Sequence, residues 1–179
     1  MVVWDSGGNN SADFVDRKLM GSGGADVMDW TDGALLLYED ASLQMDASPD
    51  GMTDDGHNGI TMKGLTFGET VSQWECVFLA SDGKLDQADA DAAGEFPAMG
   101  IVTASGVNTG AAILLSRGVV RNEGWSGLTV GGAVYLSDTA GGLTQTAPST
   151  SGDCVQIIGR ALSDSEIYFN FSGHWLEVE

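Results

Sequence analysis

The segment Gly-Leu-Thr-Phe-Gly at residues 64–68 returns as Gly-Leu-Thr-Val-Gly at residues 127–131. Three further pairs of segments match in the same order: 77–82 with 134–138, 83–87 with 141–145, and 99–102 with 158–161. Four matches in one order, at an offset of about 60 residues, predict two copies of one structural unit. The repeat points to a scaffold and carries no chemistry of its own.

Seven segments read as β-strands, because they are rich in β-branched and aromatic residues and are bounded by Gly, Asp, Ser or Asn. They are residues 60–67, 73–80, 98–104, 111–120, 133–136, 155–161 and 167–171. Residues 86–95 fit a loop or a single helical turn. The 26 glycines and the lack of 3.6-residue periods disfavour a helical protein. We therefore predict an all-β fold, a small antiparallel barrel or sandwich with an internal pseudo-repeat.

The first 58 residues differ from the rest, since they are rich in Asp, Gly, Asn and Ser and hold only three apolar islands, at 14–20, 27–30 and 34–38. Such a section cannot bury enough apolar surface to offset its own ordering entropy. We predict that residues 1–58 form an irregular, extended attachment and oligomerisation section, and that residues 59–179 form the β domain. The first section must then lie on the rest of the chain, on sister chains or on a neighbouring protein.

The charge is strongly acidic, with 26 Asp and Glu against 7 Lys and Arg and a formal net charge of -19. This field repels nucleic acid and anionic membranes, so neither is an expected partner. The acidity fits a surface that stays soluble, and the alternative is that acidic side chains meet cations or a basic partner. No apolar stretch has the length of a membrane span and the start does not resemble a secretory signal, so we expect synthesis in the cytoplasm.

The sequence holds no strong motif for catalysis or metal binding. The two histidines, His57 and His174, and the two cysteines, Cys76 and Cys154, are too dispersed for a zinc site. The cysteines lie in apolar runs and are expected to be buried free thiols. The nucleophile elbow, the P-loop and the dinucleotide fingerprint are absent from the sequence. We predict a protein that is not an enzyme, with no catalytic residues, no cofactor and no metal.

One acidic stretch partly resembles a calcium-binding loop. Asp89 and Asp91 have the right spacing and Gly94 follows, but the twelfth position is Gly100 where a bidentate Glu is needed. A solvated turn is the simpler interpretation.

The tryptophans divide into one core residue and four surface candidates. Trp74 lies within a predicted strand and should be buried. The others lie near turns or chain ends, where aromatic side chains often form subunit interfaces. The predicted partner or oligomer interface is Trp4, Phe14, Leu19, Trp30, Leu36, Tyr38, Trp125 and Trp175. A glycan-binding platform is the alternative role for the exposed aromatics.

From Gly64 to the carboxyl terminus, about two thirds of the chain, the sequence resembles a module of minor structural proteins of tailed bacteriophages. The most specific part runs from Tyr-Leu-Ser at 135–137 to Gly-Leu-Thr-Gln-Thr-Ala-Pro at 142–148. The amino-terminal third is similar in style to trimeric phage fibre linkers. The resemblance implies homotrimers, attachment to the capsid or tail, and a β-barrel or sandwich head, and it brings no catalytic residues.

The leading hypothesis is therefore a capsid decoration, cement or head-fibre protein on the virion surface, made in the host cytoplasm, that stabilises the capsid as a homotrimer on the major capsid protein. The alternative is a tail fibre or adhesin, bound to tail proteins, with a glycan-binding tip near Trp125 or Trp175. A secreted carbohydrate-binding module and an enzyme built on converging carboxylates are further alternatives.

Overall fold

The computed structural model describes residues 52–179, together with the backbone of three strands in the amino-terminal section. The chain divides into two compact units, Met1–Gln44 and Met45–Glu179. The fold is nearly all-β, and its main antiparallel sheet curls into a half-barrel. The predicted fold class is confirmed.

The first unit contains a small antiparallel sheet of three strands in the order β1-β2-β3. The strands are β1 (Lys18–Met20), β2 (Asp26–Thr31) and β3 (Ala34–Leu37). Each overlaps one of the three apolar islands. The three apolar islands therefore pair with one another in this sheet.

The second unit holds the remaining strands. They are β4 (His57–Thr66), β5 (Cys76–Leu79), β6 (Leu85–Gln87), β7 (Gly100–Val102), β8 (Ala111–Arg121), β9 (Ala133–Leu136), β10 (Leu143–Thr144), β11 (Cys154–Val155), β12 (Ile157–Ala161), β13 (Glu166–Asn170) and β14 (Leu176–Glu177). All seven predicted strands are present, and the predicted division after residue 58 falls within β4. Residues 123–125 form one turn of 3₁₀ helix.

The main sheet runs in the order β10-β9-β12-β13-β8-β7-β5-β6, β4 pairs with β8, and β11 pairs separately with β14. We call β5, β6 and β7 the first repeat, and β9, β10 and β12 the second repeat. The paired residues match copy by copy: Leu79 with Leu85 and Val77 with Gly100 in the first repeat, Leu136 with Leu143 and Val134 with Gly159 in the second. The internal repeat of the sequence is therefore also a repeat of strand pairing.

Backbone conformation follows the repeat as well. Gly64 and Gly127, at matching positions, have φ of 96° and 97°. These left-handed values are disfavoured for residues with a Cβ atom, so glycine is needed at both places.

The strand β8 joins the two repeats. It pairs with β4 along its length, with β7 at Leu114 and Leu115, and with β13 over residues 117–121. The loop after β6 makes a second connection, because the Ala90 N–H donates to the Ser137 carbonyl at 2.9 Å and the Ala90 carbonyl accepts from Cys154 N–H at 2.7 Å.

Two apolar clusters form the core. The main core lies between the repeats and includes Cys76, Ile101, Leu115, Val134 and Ile167. The smaller core is formed by Phe67, Val71, Val77, Leu85, Val102, Ala112 and Leu114. Because neighbouring residues of a strand point to opposite faces, the first repeat is packed on both faces.

Candidate functional site: the open face of the second repeat

The second repeat differs from the first in what one of its faces contacts. Cys76, Ile101 and Leu115 lie opposite one another on β5, β7 and β8 and are fully buried in the main core. The counterparts of these residues in the second repeat and β13 are Ala133, Arg160 and Tyr168, which likewise lie opposite one another on β9, β12 and β13. Ala133 and Tyr168 are half-buried and Arg160 is exposed. The face that is core in the first repeat is thus surface in the second.

This surface, which we call the open face, is formed by Tyr135, Ile157, Arg160, Tyr168 and Arg117. Tyr135 pairs with Ile157, Arg160 pairs with Tyr168, and Arg117 pairs with the β13 residue Asn170. Residues directly opposite across antiparallel strands present their side chains on the same side. Ile157 is 48% exposed, so the face combines apolar, aromatic and cationic groups.

The arginines of the open face are held by hydrogen bonds. Arg117 Nε donates to the Tyr168 hydroxyl at 2.8 Å, and Arg160 Nη1 donates to the Gly131 carbonyl at 3.1 Å. A third arginine, Arg121, lies four residues beyond Arg117 on β8 and forms an ion pair of 3.0 Å with Glu123. Three of the seven Lys and Arg residues of an acidic chain therefore lie along one side of the sheet.

The side chains are buried at the end of the face near Glu166. Glu166 lies opposite Arg121, is 1% exposed, and neither of its carboxylate oxygens accepts a hydrogen bond from the part of the chain that the structure describes. Val119, which lies between Arg117 and Arg121 along β8, is buried as well. The accessible part of the face therefore lies around Arg117, Arg160 and Tyr168.

Trp125 borders a separate shallow groove. The 3₁₀ turn that carries it is capped by Asn122, whose Oδ1 accepts from Gly124 N–H at 2.7 Å. Its ring packs edge-on against Phe169, with 5.9 Å between centroids. A groove of about 300 Å³ is lined by residues 124–128 and 143–145. Trp125 therefore shields the core and also borders a recess whose walls hold both polar and apolar side chains.

Trp175 lies near the carboxyl terminus, where its ring packs edge-on against Phe96 at 4.8 Å. The next residue, Leu176, pairs with Val155 and is 74% exposed. This end of the domain presents apolar side chains to solvent.

The other predicted interface residues lie in the amino-terminal section. Leu19, Trp30 and Leu36 belong to β1, β2 and β3. Trp4, Phe14 and Tyr38 lie outside the described residues. The sequence patterns did not single out Tyr135, Ile157 or Tyr168, although the alternation around Tyr168 on β13 places it on the side opposite the core residues Ile167 and Phe169.

An acidic group lies at the turn that follows β9. The Asp91 N–H donates to Asp89 Oδ1 at 3.2 Å. A hydrogen bond with Asp89, then the charges of Asp89, Asp138 and Asp153, raise the pKa of the Asp91 carboxyl above its ordinary value. We call Asp89, Asp91 and Asp138 the acidic end. Within residues 52–179, no three His, Cys, Asp or Glu side chains are arranged to hold a metal ion.

The predictions for Trp74 and the two cysteines are confirmed. Trp74 is 6% exposed and its Nε1–H donates to Asp55 Oδ1 at 2.7 Å. Cys76 and Cys154 are buried free thiols. Burial, with a smaller effect of the Glu75 charge, raises the pKa of Cys76 to about 12, and burial raises the pKa of Cys154 to about 11. Neither thiol is poised as a nucleophile.

No protein-family model matches this sequence, and the search of curated proteins gives no significant match. In the described part of the chain, no helix has the length and apolar character required to span a bilayer.

Proposed function

We propose that this chain is a non-enzymatic structural protein of a tailed-phage virion. In this role it is a capsid decoration, cement or head-fibre protein that binds the major capsid protein as a homotrimer. The observation that carries the proposal is the open face, a surface of tyrosine, isoleucine and arginine in the second repeat. The equivalent surface of the first repeat is packed in the core. The resemblance of residues 64–179 to phage structural modules supplies the virion context.

The composition of the open face supports a role in protein contacts. Tyrosine and arginine are enriched at protein interfaces and contribute most of the binding energy there. Residues Ile157 and Ile60, which are 48% and 54% exposed, add apolar area on the same side of the sheet. A contact of this kind that forms only on an assembled shell stabilises the shell by mass action.

The proposal is tested by locating the protein on intact phage particles with a labelled antibody in the electron microscope. Label spread regularly over the head is the expected result, and particles from which the gene has been deleted are the control. Label at the tail end alone, or no label above the deletion control, would overturn the capsid role.

The groove beside Trp125 favours one second candidate, a tail fibre or adhesin that binds a glycan. An aromatic edge with polar neighbours such as Gln145 suits a sugar ring. In this case host surface polysaccharide shifts the tryptophan fluorescence of the protein saturably, and Trp125→Phe removes the shift while Trp175→Phe does not. Fluorescence that polysaccharide leaves unchanged would contradict this alternative.

A further inference from the structure

We infer that the open face of one chain, through Arg117 and Arg160, docks onto the acidic end of a second copy, where Asp89, Asp91 and Asp138 lie. This head-to-tail contact deepens the proposed function and rests on its homotrimer, for which it names the contact surfaces.

Charge balance is the first reason to choose a second copy as the occupant. Two chains that each carry a net charge of -19 repel one another, and a contact that joins opposite charges offsets part of that repulsion. The open face holds Arg117 and Arg160, both exposed. Of the other three cations in the described residues, Arg121 is paired with Glu123 and Lys84 with Asp82, while Lys63 is exposed on β4.

The acidic end has the complementary character. Asp91 and Asp138 are exposed and Asp89 is half-buried. A hydrogen bond with Asp89, and then the charges of its acidic neighbours, raise the pKa of Asp91, and an arginine from another chain would offset those charges. A hollow of about 190 Å³ lies beside this group, and its lining combines Asp138 and Asp153 with the Thr and Ser side chains of residues 144, 146, 149 and 150. It offers a guanidinium head a recess with polar acceptors.

The proposed contact joins two different surfaces of the chain, and this determines the symmetry of the oligomer. An isologous dimer would need both surfaces in one patch around a two-fold axis, so that each open face meets the acidic end of the other chain. A contact between two different surfaces of one chain is heterologous, and it builds a closed ring when the rotation between copies closes. The homotrimer is a ring of this class.

The test measures the mass of the full chain by analytical ultracentrifugation as a function of concentration. The double variant R117E/R160E reverses the open face, and D91R/D138R reverses the acidic end. The variant K63E/K84E is the matched control, since it makes the same change in net charge as R117E/R160E elsewhere on the domain. A fourth variant carries both reversals, R117E/R160E/D91R/D138R, in one chain.

We expect each reversal to weaken association at least about 100-fold, because like charges brought together at an interface cost several kcal/mol. The control should associate as the natural chain does, and the chain with both reversals should regain the oligomer. Near-ultraviolet circular dichroism monitors the fold. Arg160→Glu alone, at an exposed site with a single backbone hydrogen bond, serves where the double variant does not fold.

A natural chain that stays monomeric, a reversal that leaves the mass unchanged, or an oligomer that is lost and not regained would each overturn the inference. The outcomes are separable from those of the proposed function. If the ring responds to the reversals in this way but the protein is absent from phage heads, the contact is supported and the virion role is overturned. If the protein is found on heads but its oligomer does not respond to the reversals, the virion role is supported and the contact is overturned.

Discussion

Phe67 in the first half of the domain is 1% exposed, whereas its counterpart in the second half, Val130, is 65% exposed. The two positions follow the same Gly-Leu-Thr motif, so the difference comes from the surroundings. From Gly64 to Val77 there are 13 positions, and from Gly127 to Val134 there are 7, so the first copy has 6 more residues before its hairpin. That extra segment brings Val71 and Trp74 into the two cores. One copy is packed on both faces, and the other retains a face for contacts.

The largest effect expected from this comparison is at Phe67. Phe67→Ala removes a ring from the smaller core and should lower the free energy of unfolding by about 4 kcal/mol. The matched change Val130→Ala removes a side chain that is mostly in solvent and should cost less than about 0.5 kcal/mol. Urea denaturation of both variants measures the difference. Similar losses at the two sites would mean that the copies are packed alike, contrary to the structure.

An intermediate effect is expected at Gln156, which ties the first-repeat loop to the carboxyl-terminal segment. Its side chain is fully buried, accepts from Ala98 N–H at 2.8 Å, and donates to the Ala98 and Ser172 carbonyls, each at 2.8 Å. Gln156→Leu leaves these backbone groups without partners and should cost about 2 to 3 kcal/mol.

Gln145 provides the matched control for Gln156. It also bonds both backbone groups of one residue, Thr129, at 2.7 and 3.0 Å, but near the surface where water can replace it. Gln145→Leu should cost less than about 1 kcal/mol. Thermal unfolding measures both variants, and a cost at Gln145 equal to that at Gln156 would argue against a special role for the buried amide.

The smallest effect is expected at Gly64 and Gly127, where the two copies have the same residue and the same backbone conformation. Gly64→Ala and Gly127→Ala each introduce a Cβ atom at a left-handed φ, and no atom lies within 4 Å of the added carbon at either site. Backbone strain alone should then cost about 1 kcal/mol at each, equal within about 0.5 kcal/mol. Guanidinium denaturation can resolve this difference, and unequal costs would show that the repeat is less exact in its backbone than in its pairing.

The sequence predicted the seven longer strand segments of the β domain and the repeat, but it did not identify the open face. Cys-Val-Phe-Leu in β5 and Ala-Val-Tyr-Leu in β9 have the same apolar pattern. Whether the outer face is covered depends on the segment before the hairpin, which local pattern does not reveal. The strands β6 and β10 have only three and two residues, too few for periodicity to be read. Gln156 was also missed, since its partner Ala98 lies 58 positions away in the chain.

The shared strand β8 has a consequence for how the domain unfolds. Repeat proteins whose units touch only their neighbours can lose end units one at a time. Here one strand of 11 residues is hydrogen-bonded to β4, to the first repeat through β7, and to β13 beside the second repeat. Because both copies are connected through this strand and share the main core, the duplicated domain should melt in a single cooperative step. The amide protons of β8 should be among the slowest to exchange with solvent, at a rate set by global opening.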